Sequence, residues 1–121
     1  MQLVEIQGFS YEERNGLLSA LILAFGECGG WVLDRKTLSP TMMEFRIEIQ
    51  LRAVIDLYAS MISCGLELTR NGHIALTDLC TCRKNALTMA DLGQIVSIRI
   101  EISFLEDMTL HSLLMIGNSP A

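Results

Sequence analysis

The chain has 121 residues, half of them apolar and 19% charged, which fits one hydrophobic core and a single domain over residues 1–121. Its net charge is −5 and its nine Lys and Arg residues are scattered, so there is no basic groove for a phosphate backbone. Nucleic acid and anionic membrane are therefore not expected as partners.

The charged fraction falls below the roughly 25% typical of soluble domains, and the mean hydropathy is positive, +0.39. A small domain this apolar is expected to hide part of its surface in a subunit interface, so the chain reads as a homo-oligomer. The segment Met1–Glu5 has no basic stretch and carries an acid early, unlike a secretory leader. The longest uncharged runs, 15–26 and 108–121, fall short of the roughly 18 apolar residues that a membrane span requires. A cytoplasmic protein is the expectation. Cys28, Cys64, Cys80 and Cys82 are then reduced thiols, read as small core hydrophobes rather than a disulfide frame.

In chain order, residues 3–8 read as a strand with Val4 and Ile6 on one face and Glu5 and Gln7 on the other. Ser10 and Glu13 have capping-box spacing, although a helix start at Asn15-Gly16 is the alternative. The helix after them places Leu17, Leu18, Leu21, Ile22, Ala24, Phe25 and Cys28 on an apolar stripe and ends at Gly29-Gly30. Residues 31–38 read as a strand and Ser39-Pro40-Thr41 as a turn. Met43, Phe45, Ile47 and Ile49 then alternate with Glu44, Arg46, Glu48 and Gln50, the mark of a half-buried strand.

From Leu51 to Cys64 the period becomes helical, with Leu51, Val54, Ile55, Tyr58, Met61 and Ile62 on one face and Gly65 as cap. Residues 66–69 and 73–82 flank Asn71-Gly72, a favoured two-residue turn, and read as a hairpin. Residues 85–94 read as a loop with one helical turn near 87–92. Val96, Ile98, Ile100, Ile102 and Phe104 form a second long alternating strand. Residues 109–116 fit a short helix or a strand equally.

Strands with one polar face cannot lie between two helix layers, so both helices belong on the same apolar face. The expected fold is α+β: a ferredoxin-like βαββαβ two-layer sandwich with an extra C-terminal β-hairpin and an antiparallel sheet. Residues 66–82 and 95–105 both compete for the fourth strand of the core sheet.

Within residues 13–49 the sequence Glu13-Arg14-Asn15-Gly16-Leu17-Leu18, the glycine pair ending the helix and the strand after it resemble the ACT domain, a regulatory module for amino acids and related effectors. Glu13 stands where that family has aspartate and Asn15 where it has proline, and the resemblance covers about residues 1–69. It implies a ligand-binding loop of Glu13, Arg14, Asn15, Gly16 and Leu17. Gly16 would let backbone amides approach a ligand carboxylate, Arg14 would assist it, and Glu13 or Asn15 would meet an amino group. It also implies a small-molecule effector, an amino acid among the candidates, held between subunits. Alternatively, Glu13 merely caps a helix and Gly16 allows a tight turn.

Other constellations carry less. Cys64, His73, Cys80 and Cys82 supply four zinc-type ligands at spacings that match no common zinc module. Pairing a cysteine with His73 or His111 as a nucleophile requires a thiolate-stabilising environment that a sequence does not display. Nothing in the sequence argues for two carboxylates in one cleft, and no Gly-Lys-Ser/Thr phosphate loop is present. The expectation is a ligand-binding regulatory module without cofactor or catalysis. The alternative is a structural or protein-interaction subunit.

Overall fold

The computed structural model describes residues 3–86 and 88–106. The segment 109–116 lies outside them. The elements run β1 (Leu3–Ser10), α1 (Arg14–Glu27), β2 (Trp31–Ser39), β3 (Met42–Gln50), a 3-10 turn (Leu51–Ala53), α2 (Val54–Ser63), β4 (Glu67–Leu68), α3 (Arg70–Lys84), α4 (Met89–Leu92) and β5 (Ile95–Phe104). The fold is α+β.

The strands form one five-stranded sheet in the order β2-β3-β5-β1-β4. β5 lies between β3, to which it is antiparallel, and β1, to which it is parallel. The sheet is mixed, not antiparallel as expected. Both segments that competed for the fourth strand join it. β5 takes the centre, and Glu67–Leu68 pairs antiparallel with Gly8–Phe9 at the outer edge.

Period-two alternation fixes which face is covered. Val4 and Ile6 of β1, Met43, Phe45, Ile47 and Ile49 of β3, and Val96, Ile98, Ile100, Ile102 and Phe104 of β5 are buried in one cluster. Full burial of one such side chain is worth about 1.5–3 kcal/mol. Leu17, Leu18, Leu21 and Phe25 of α1, Val54, Leu57 and Met61 of α2, and Leu76 and Leu79 of α3 join the cluster, as do Leu51 and Ala53 of the 3-10 turn, Leu66, and Leu68 of β4. α1 packs on α2 and α2 on α3, while α1 touches β2 and α3 touches β1. The helices therefore run side by side across one face, and no described element covers the other, the open face. No helix among the described residues is long and apolar enough to cross a membrane.

Three local expectations are corrected. The first is the hairpin over 66–82, because residues 70–84 are helical. Thr69 is the N-cap, its side chain accepting from the Gly72 amide, and Leu76 and Leu79 recur at helical spacing on the core. The Asn71-Gly72 signal sits in the first helical turn instead of a hairpin.

The second is the Ser10–Glu13 capping box. Glu13 alone caps α1, whereas the buried Ser10 hydroxyl donates to the Gly65 carbonyl at 2.8 Å and accepts from the Glu12 amide at 3.1 Å. It ties the end of β1 to the end of α2.

The third is the α2 stripe. Ile55 and Ile62 are exposed and Leu57 is buried in their stead, because the stripe follows Val54, Leu57 and Met61 around the helix. As expected, α1 ends at a glycine, Gly29, and α2 is followed by Gly65. Both have positive φ, +75° and +99°, the left-handed conformation that suits glycine after a helix.

Two glycines predict opposite responses to alanine. A Cβ on Gly72 would lie 2.9 Å from the Gln7 carbonyl oxygen, where α3 presses on β1. The backbone has no room to yield, so the overpacking cost of about 1–3 kcal/mol should outweigh the gain of about 1 kcal/mol in helix propensity. A Cβ on Gly26 would meet nothing within 4 Å. Chemical denaturation should show Gly72→Ala destabilised and Gly26→Ala stabilised by about 0.5–1 kcal/mol.

Candidate functional site

The loop singled out by sequence sits where β1 hands over to α1. Glu13 is extended and its carboxylate folds back over the helix start, Oε1 accepting from the Asn15 amide at 3.0 Å and Oε2 from the Gly16 amide at 2.8 Å. These two bonds, Gly16 first, hold the Glu13 carboxyl below the usual carboxylate range. The amides that would receive a ligand carboxylate thus already hold one.

Arg14 reaches away from them. Its guanidinium donates to the Pro40 carbonyl at 2.8 Å and stacks 5.0 Å from the centroid of the Phe104 ring, tying α1 to the turn between β2 and β3. Leu17 is buried in the core and Asn15 is exposed. A Cβ on Gly16 would lie 3.3 Å from Glu13 Oε2. Glycine here leaves room for the self-cap.

The cysteine and histidine candidates do not converge. Among the described residues no group of three or more His, Cys, Asp or Glu side chains is placed to hold a metal ion. The His73 Nδ1 pairs with the Tyr58 hydroxyl across the α2–α3 seam. Cys28, Cys64 and Cys80 are half-buried against the core, and Cys82 is exposed. Burial pushes the Cys64 and Cys80 thiols up, with Glu27 adding to the effect at Cys64, and a raised thiol is the reverse of an activated nucleophile.

Two surfaces stand out that the sequence does not single out. The first is β2. It is an edge strand, and Trp31 through Leu38 are all exposed, including the apolar Trp31, Val32, Leu33 and Leu38. Bulges interrupt its pairing with β3 between Val32 and Asp34 and between Thr37 and Ser39. Other exposed large apolar side chains, among them Leu23, Ile55, Ile74 and Met89, are spread over the helices.

The second is the open sheet face. Register places Glu5, Arg99 and Arg46 in one cross-strand row and Gln7, Glu101 and Glu44 in the next. Arg99 bridges two strands, 2.8 Å from Glu5 and 2.9 Å from Glu44, and Gln7 donates to Glu101 at 3.3 Å. In the adjoining row Ser103 lies between Phe9 and Met42. A small residue between two large ones makes a trough. With Leu105 and Thr69 at its sides, it is an apolar groove of about 460 Å³.

The chain matches no protein-family model, and neither curated proteins nor solved structures give a match.

Two measurements probe the Glu13 loop and the thiols. A carboxylate whose folded pKa is depressed stabilises the fold above its unfolded value and loses that contribution as pH falls through the folded one. Glu13→Ala should therefore lower the melting temperature by a few degrees at pH 7, and the gap to the parent should close on acidification below the carboxylate range. Under native conditions a thiol reagent should label Cys82 first, with Cys64 and Cys80 lagging until the protein is unfolded.

Proposed function

We propose that the chain is a non-catalytic interaction module that assembles with a second copy of itself along β2. The observation that carries this is the strand's exposure, with four large apolar side chains on an edge that is unpaired among the described residues. An unpaired edge is a template for another strand, and proteins usually blunt it with charges and bulges. β2 has both, so the sign and order of its charges decide.

A two-fold antiparallel pair centred on Arg35 sets Asp34 of each copy opposite Lys36 of the other. These two residues already lie 3.9 Å apart within one chain, and β3 register places both on the open face. Arg35 would then meet its own copy on the helix side. Cross-strand charge pairs are each worth about 0.2–1 kcal/mol, so two attractive pairs outweigh one repulsive one. Val32 and Leu33 of one copy would approach Leu38 and Thr37 of the other.

A strand pair alone covers less than the roughly 800 Å² per partner of a stable interface. α1 supplies more. On α1, Ala20, Ala24 and Glu27 border the groove shared with α2, and Ile22 stands on the opposite flank, toward β2, 41% exposed.

A regulatory role, with an amino-acid-like effector at Glu13, Arg14, Asn15, Gly16 and Leu17, is the second reading. It is favoured by one observation: the Asn15 and Gly16 amides hold a carboxylate in good geometry, and a ligand carboxylate can take the place of the Glu13 side chain. Kinship with ferredoxin-like and ACT-like domains belongs to this reading. The β-α-β-β-α-β order ending in a β4 that pairs antiparallel with β1 supports it, and the insertion of β5 between β1 and β3 departs from it.

Sedimentation equilibrium tests the assembly. The parent should be a dimer at micromolar concentration. Asp34→Lys alone should shift it to monomer, because each copy then sets lysine against Lys36. The exchange Asp34→Lys with Lys36→Asp should restore the dimer. A monomeric parent, or a dimer indifferent to the single change, overturns the pairing.

A further inference from the structure

We infer that the groove on the open sheet face is a binding site for a small organic cation, an amine carrying an aryl or branched apolar body. Its lining includes no residue of β2 or of the Glu13 loop, so it stands whether or not the chain self-associates along β2.

The groove's shape comes from register. Phe9, Ser103 and Met42 are neighbours in one row across β1, β5 and β3, and the small central residue leaves the hollow. Its volume of about 460 Å³ falls within the roughly 300–1,000 Å³ of small-molecule sites. The walls are preorganised. The Phe9 ring meets Tyr11 edge-to-face at 6.3 Å, which leaves its remaining surface to a guest. Met42 supplies a polarizable thioether on the other side, well suited to an aromatic ring. The Thr69 hydroxyl is committed, donating to the Gln7 carbonyl at 3.0 Å and accepting from the Gly72 amide at 3.2 Å.

Charge selects the guest. Among the open-face carboxylates at the centre of the sheet, Glu5 and Glu44 share Arg99, one cation between two carboxylates, which holds both in place. Glu101, which borders the groove, has no ion-pair partner among the described residues. Its Oε2 accepts one hydrogen bond from Gln7, and Oε1 has no hydrogen-bond partner there. An acceptor-only group at the rim of an apolar trough favours a guest with an ammonium at one end and a hydrophobic body at the other. An anion would meet Glu101 and the chain's overall negative charge.

The test uses three probes with one indole body: tryptamine, tryptophol and indole-3-acetate, titrated into the ¹⁵N-labelled full chain and followed by amide shifts. Tryptamine should move the resonances of Phe9, Met42, Glu101 and Ser103 and saturate. Tryptophol should bind about tenfold more weakly, and indole-3-acetate should not bind. Glu101→Gln, a change at the surface that the fold tolerates, should reduce tryptamine affinity to that of tryptophol while leaving the parent spectrum otherwise intact. Equal binding of all three probes, an unaffected Glu101→Gln variant, or shifts that map elsewhere would overturn the assignment. So would binding that appears only after residues 107–121 are deleted, because the groove would then belong to the chain's own segment.

Discussion

The parallel pairing of β1 with β5 is the interaction on which the rest of the molecule depends. It places the most regularly alternating strand at the centre of the sheet, with a neighbour on each side, and it commits Val96, Ile98, Ile100, Ile102 and Phe104 to the helix-covered face. A shift of one residue would send all five to water and bring Arg99 and Glu101 into the core, a cost far beyond the marginal stability of a domain this size. Register is therefore fixed, and with it every cross-strand neighbour on the open face. The Arg99 bridge to Glu5 and Glu44, the Gln7–Glu101 bond and the trough at Ser103 are all consequences of it.

One helix layer on a five-stranded sheet leaves two kinds of surface uncovered. On the polar face of the central strands Arg99 bridges Glu5 and Glu44, while Glu101 has no ion-pair partner among the described residues. β2 is exposed along most of its length, and α1 touches it only in part. The apolar content of the chain, high for its length, is thus divided between a dense core and exposed side chains, four of them on β2.

How far the sequence discloses this depends on the scale of the signal. Alternation over Met43–Ile49 and Val96–Phe104 reads directly, since each strand repeats its signal four or five times. The glycines after α1 and α2 read equally well, because only a left-handed turn needs them. Residues 70–84 do not. Asn71-Gly72 favours a turn locally, and what overrides it is Thr69 capping the helix and Leu76 and Leu79 reaching the core. The apolar residues of the α2 segment are legible but not their orientation, since Ile55 and Leu57 are exchanged only by knowing where the sheet lies.

Of the candidate site, Glu13 is legible as a helix-capping residue, an alternative its spacing leaves open. The groove is not legible at all. Phe9, Met42 and Ser103 are 33 and 61 positions apart in the chain, and nothing short of strand register makes them neighbours.

The central strand pair also bears on how the chain reaches its fold. Glu5 and Arg99 are separated by 94 positions, and β5 bonds to both β1 and β3. Closing so long a loop must precede any reward from the contacts it brings, which slows folding. A chain still emerging from the ribosome can pair β2 with β3 and form α1 and α2, but Val4, Ile6, Phe45 and Ile47 lack their central partner until residues 95–104 are free. Through that interval the unfinished sheet has a gap between β1 and β3, bordered by two apolar strands. Transiently exposed apolar strands of this kind are what make folding intermediates prone to aggregate.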